Sequence, residues 1–312
     1  VRTDGTVDYE LNHENHALKL NGGASDITKT SYGGNAMSEI PLIWVKRWTQ
    51  NNYHFVVFCE EQYDDTYKAY AHTDADGNVL PVTYFPMYEG SVVNSRMRSL
   101  SGLTPTASMT DEQETTAAKQ NGDRWDKQSF SEINLMYEMC TMITCSTNSQ
   151  GKFGNGNSQS DNFLQTGTLN GKGQFFGYTS TTQAVKVFYC ENFFANYWKR
   201  LRGLLLINGV YHVKAVPPYN STGAGYTNTG LTPSGTSGGY CSRMEMASDI
   251  GRIPTVASGS ETHTNVMGYG STIRSLQLPC SVATVATGRG AVCPCWNVID
   301  LRAVTAYSRG EL

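Results

Sequence analysis

The chain has 312 residues, a formal net charge of −3 and a sequence pI near 6.1, and 16 % of its residues are charged, against roughly 25 % in ordinary soluble domains. That length supports a real core in one large domain or two small ones. No Lys/Arg run exceeds two adjacent residues, which leaves no basic stripe for nucleic acid, and no apolar run approaches the roughly 18 residues of a membrane span. The start shows no signal-peptide pattern, and Val1 in place of Met reads as a fragment or a processed chain.

Residues 1–36 are polar and punctuated by Gly22-Gly23 and Gly33-Gly34. They read as short strands or an extended arm packing on a neighbour. Residues 39–61 carry two β-rich runs separated by Thr49-Gln50-Asn51-Asn52, a hairpin signal, and Asp76-Gly77 marks a further tight turn. The most helical part is 110–148. Thr110 with Gln113 three residues on predicts a capped start, and Asn121-Gly122 a stop. A second helix follows, capped by Ser129 or Ser131, with one apolar face at Ile133, Met136, Tyr137, Cys140, Ile143 and Thr144.

Residues 150–182 read as Gly/Asn/Ser-rich loops, and 184–216 as strands paired across Asn208-Gly209. Lys199-Arg200 and Arg202, the densest basic cluster, read as a solvated helix or strand edge. Residues 217–240 form a low-complexity loop before short β runs lead into the tail. The order predicts an α+β fold: mainly antiparallel short strands, two helices and long loops.

Chemistry is sparse. Cys293-Pro294-Cys295 lacks a second ligand pair at structural-zinc spacing. Trp296-Asn297 with Asp300 is similar to the calcium strand of sugar-binding lectins, but calcium needs six or more oxygens and no further ligand motif occurs. Cys140 and Cys190 lie in apolar contexts typical of buried free thiols, as does Cys59, and the eight cysteines are expected to be mostly reduced. His13 and His16 read as solvated in a polar segment. Glu60-Glu61 and Asp64-Asp65 read as a loop face. No nucleophile, general base and oxyanion donor assemble, so the expectation is a non-enzyme with no metal and no cofactor.

Four stretches taken in order carry a resemblance: 37–48 (MSEIPLIWVKRW), 84–106, 124–156 and 185–214. Together they resemble tail-associated phage proteins with a C-type-lectin-like fold of the formylglycine-generating-enzyme subtype. The tail is similar to variable proteins of diversity-generating retroelements: Gly288-Arg289-Gly290, then Cys293-Pro294-Cys295-Trp296, then the strand 297–301. It departs by Pro-Cys where Gly-Pro is usual, and by one extra residue before Leu301.

The resemblance implies a segment 1–36, a lectin-like domain over 37–312 and a variable-type region at 288–312. It implies a virion tail-fibre or tail-tip protein that binds a bacterial surface receptor, glycan or protein, alongside other tail proteins and as a homotrimer, with no nucleic acid and no membrane insertion. The candidate receptor-binding residues are Arg289, Ala291, Val292, Asn297, Ile299, Asp300, Arg302, Val304, Tyr307 and Arg309. If Trp296, Val298 and Leu301 anchor the core, Asn297, Ile299 and Asp300 are freer to point out, which simple alternation gives for Asn297 and Ile299. Arg and Tyr are favoured binding anchors. The alternatives are a structural decoration protein and an oxidase of the formylglycine-generating type. The latter resemblance uses a more widely spaced cysteine pair than Cys293 and Cys295.

Overall fold

The computed structural model describes residues 1–146, 149–157, 162–197, 199–235, 240–258 and 274–278. The elements in chain order are β1 (Met37–Pro41), β2 (Trp44–Gln50), β3 (Tyr53–Cys59), a 3₁₀ turn (Tyr70–His72), β4 (Val82–Pro86), β5 (Ser91–Val93), β6 (Arg96–Arg98), α1 (Asp111–Lys119), α2 (Phe130–Thr144) and α3 (Ser149–Phe153). Then come β7 (Lys186–Val187), β8 (Cys190–Glu191), β9 (Lys199–Ile207), β10 (Val210–Val213), β11 (Thr227–Asn228), β12 (Ser234–Gly235), β13 (Tyr240–Ala247), β14 (Gly251–Ser258) and β15 (Arg274–Leu278). This is an α+β arrangement of mostly short antiparallel strands; among the described strands only β12 and β14 pair in parallel.

Local chemistry accounts for the turns. Residues 51 and 52 both take positive φ (51° and 64°), the backbone of a two-residue hairpin turn, so Thr49 and Gln50 belong to β2 rather than to the loop. Asn208 and Gly209 (φ 50° and 79°) do the same between β9 and β10.

Both helices begin as the sequence requires. Thr110 and Ser129 accept from the backbone three residues on, and Gln113 and Glu132 reach back to complete the boxes. The third, five-residue helix α3 lies in the stretch read as loop. Residues 217–240, also read as loop, contribute β11 and β12.

The central strand is β9. Its residues Leu201 to Leu206 are buried without alternation, because the strand is covered on both faces. Gly203 (φ 78°) permits a close approach: a Cβ there would lie 2.6 Å from the Lys214 carbonyl oxygen. Helix α2 packs on β9 and β14. The predicted face is only part of what it buries. Ile133, Met136 and Cys140 are buried as expected, but so are Asn134, Leu135, Glu138 and Met139. A helix enclosed on several sides buries polar positions too, and these are satisfied: Asn134 Oδ1 accepts from Arg252 N at 2.8 Å, and Glu138 meets Arg47.

Residues 1–36 pack on their own chain. Ile27 and Ala36 form a second cluster with Met87 and Tyr88. Buried Arg98 donates to the carbonyls of Tyr32 and Gly34, and Trp125 Nε1 donates to Thr3 O at 2.9 Å. Cys140 and Cys190 are buried, while Cys59 is half-buried.

Glu132 carries a first testable consequence. Burial pushes its carboxyl up to about 7, against the pull of the Ser129 backbone and hydroxyl. A carboxyl raised in the folded state loses stability as pH rises from 4.5 to 7. Glu132→Gln keeps the capping acceptor and removes the charge. It is expected to raise stability by about 1–2 kcal/mol at pH 8 and to leave it unchanged at pH 4.5, read from urea unfolding at both pH values.

Candidate functional site

The ten residues singled out from the sequence (Arg289, Ala291, Val292, Asn297, Ile299, Asp300, Arg302, Val304, Tyr307 and Arg309) lie outside the described residues, as do Cys293 and Cys295. The frame leading toward them is described. β15 pairs antiparallel with β9 from Arg274 opposite Leu206 to Leu278 opposite Lys199. The last described residue of β15, Leu278, thus lies at the Lys199 end of β9. At that end Phe163, half exposed, stacks on Tyr197 with centroids 4.0 Å apart and 17° between planes.

The basic cluster on β9 is not a solvated edge. Arg200 pairs with Glu114. Arg202 lies 3.5 Å from Asp111 and 3.4 Å from Asp126, donates to Tyr219 O at 2.9 Å and sits over the Tyr219 ring. Lys127 bridges Asp111 and Glu114. The acids of α1 lie more than 80 residues away in the chain from Arg200, which is why the run of bases looked unpartnered. These charges clamp α1 to β9 and present no free cationic face.

His16 is not solvated either: it is 1 % exposed. Burial, with Lys186 and His13 nearby, lowers its pKa to about 3, so the ring is neutral at ordinary pH. Lys186, fully buried, donates to Leu169 O and Lys172 O (3.0 Å), and its Nζ lies 3.4 Å from His16 Nδ1. Burial pulls the Lys186 ammonium down to about 8. Next to it, Glu191 accepts from the backbone of Gly167, Thr168 and Leu169 and from the Thr168 hydroxyl. Lys186 and Glu191 are spent on holding backbone, so the cluster is a strut between the N-terminal segment and β7–β8.

The outward face of the β2–β3 hairpin is a row of rings. Phe55 stacks on Trp48 (4.8 Å, 9°), Lys46 Nζ lies 5.9 Å from Trp48 and 5.7 Å from Tyr67, and Tyr67 meets Tyr63 edge-on at 6.1 Å. Tyr63 is 80 % exposed. Glu60, Glu61, Asp64 and Asp65 edge the row, as the loop-face reading expected. Register explains the row: Trp48 faces Phe55 and Lys46 faces Val57. The alternation Trp44, Lys46, Trp48 against Phe55, Val57, Cys59 was the available signal for it.

Among the described residues, no group of three or more His, Cys, Asp or Glu could hold a metal ion, and no helix is long and apolar enough to cross a membrane. No family model matches the chain, and no curated protein matches it.

Proposed function

We propose that the chain is a phage tail-fibre or tail-tip protein with a C-type-lectin-like fold. On this reading it binds a bacterial surface receptor through region 288–312, as a homotrimer among other virion tail proteins. The observation that carries the reading is the order of four stretches along one chain, 37–48, 84–106, 124–156 and 185–214, in the succession of that group of proteins. The α+β architecture of short antiparallel strands is compatible with it. So is the function such a frame allows: a rigid double-covered strand, with recognition left to side chains on a late surface.

The test is adsorption. Virions carrying Arg302→Ala, Tyr307→Ala and Arg309→Ala together are expected to bind host cells at least about tenfold more weakly, since Arg and Tyr dominate hot spots. The purified variant should melt like the parent. Undiminished adsorption rejects this surface as the receptor site.

A further inference from the structure

Between β8 and β9 the segment 192–197 lies against a buried carboxyl. Glu89 is 7 % exposed, Asn192 1 % and Asn196 9 %, and Phe193 and Phe194 beside them are buried. One carboxyl oxygen, Glu89 Oε1, lies 3.2 Å from Lys199 Nζ. The other, Oε2, accepts from Asn192 Nδ2 at 3.1 Å and from Asn196 Nδ2. Lys199 Nζ also donates to the main-chain oxygen of Asn192 at 2.5 Å, so the amine rests against that residue. Asn192 holds a left-handed backbone (φ 53°), and its Oδ1 accepts nothing from the described residues. Asn196 is differently placed. Its Oδ1 is tied by Asn157 Nδ2 (2.8 Å) and Leu164 N (2.9 Å), which fixes it as a support for Glu89.

An amine, a carboxyl and a primary amide in a water-poor site are the components of spontaneous amide exchange. We propose that Lys199 and Asn192 become joined by an intramolecular isopeptide bond, with Glu89 carrying the proton between the amine and the departing amide nitrogen. Glu89 Oε1 takes a proton from the Lys199 ammonium, and the freed amine attacks Asn192 Cγ. The Nζ–Cγ bond forms, the Cγ–Nδ2 bond breaks and Nζ gives up its second proton to the leaving nitrogen. Ammonia departs, taking the proton first held by Glu89 as ammonium, and Glu89 returns to carboxylate. No oxidant or cofactor enters. Burial holds the Glu89 carboxyl above the usual carboxylate range, against the pull of Lys199, Asn196 and Asn192. A carboxyl held above that range is a better proton acceptor for the Lys199 ammonium than an ordinary carboxylate. The bond does not depend on the receptor reading.

Intact-mass measurement of the purified full chain tests this directly. The expected mass is lower by one ammonia than the sequence demands. Tryptic digestion is expected to leave Lys199 uncut, giving the peptide 187–200 as a ring with no backbone fragments between 192 and 199. Lys199→Arg and Glu89→Gln should each restore the full mass, and melting curves show whether each variant is folded. A full-mass parent chain with Lys199 cut by trypsin overturns the proposal. So does the loss of ammonia with Lys199 still cut, which marks a cyclic imide, or a ring that closes on Asn196.

Discussion

Alanine at Glu138 is expected to cost about 3–5 kcal/mol, the loss typical when one member of a buried ion pair is removed. Glu138 accepts from Arg47 Nε at 2.8 Å and Nη2 at 2.7 Å, with the two side chains 3 % and 1 % exposed. Arg252, on β14, shares the same environment. Burial lowers its guanidinium pKa, Glu138 draws it back up and Arg47 pushes it down. Removing the carboxylate leaves buried Arg47 on β2 and half-buried Arg252 on β14 in each other's field. Against a typical domain stability of about 5–15 kcal/mol, that is a large part of the whole.

Arg47→Met with Glu138→Leu should cost less than the sum of the two single changes, because the pair leaves no lone charge behind. Urea unfolding of the four proteins checks both statements. A Glu138→Ala loss below about 1 kcal/mol, or strictly additive changes, refutes the ion-pair account.

Acidification from pH 7 to pH 4 is expected to remove about 4 kcal/mol through three buried groups. His16 and His72 are each 1 % exposed, and burial lowers their pKa values to about 3 and about 4. Below pH 6.5 the unfolded chain binds protons at both rings that the folded chain refuses. Stability therefore falls with pH, by about 3 kcal/mol for each ring at pH 4. Glu132 acts in the opposite sense. Its raised carboxyl binds a proton more readily when folded and returns about 1–2 kcal/mol over the same range.

For His16 the opposing charge is Lys186, 3.4 Å from Nδ1, with His13 also contributing. For His72 the cause is desolvation, and neither ring nitrogen has a hydrogen-bond partner among the described residues. His16→Asn with His72→Leu should flatten the acid limb, and equal parent stability at pH 7 and pH 4 would contradict the assignment. The Asn keeps an acceptor for Lys186.

Features held by a few consecutive residues were legible from the residue string. Thr110 with Gln113 and Ser129 with Glu132 start helices because their partners sit three residues away, and Asn208-Gly209 closes a hairpin because the turn needs positive φ at both positions. The burial of Cys140 and Cys190 followed from their apolar surroundings. The charge pattern was not legible in the same way. Lys199, Arg200 and Arg202 looked solvent-facing because Glu89, Glu114 and Asp111 are remote in the chain. His16 looked solvated because Lys186, 170 positions later, is what closes over it.

Turns and caps obey short-range sterics and hydrogen bonding, so a window of residues suffices for them. The fate of a charge depends on desolvation and on which distant partner arrives, and both exist only once α1 and α2 meet β9 and the N-terminal segment meets β7 and β8.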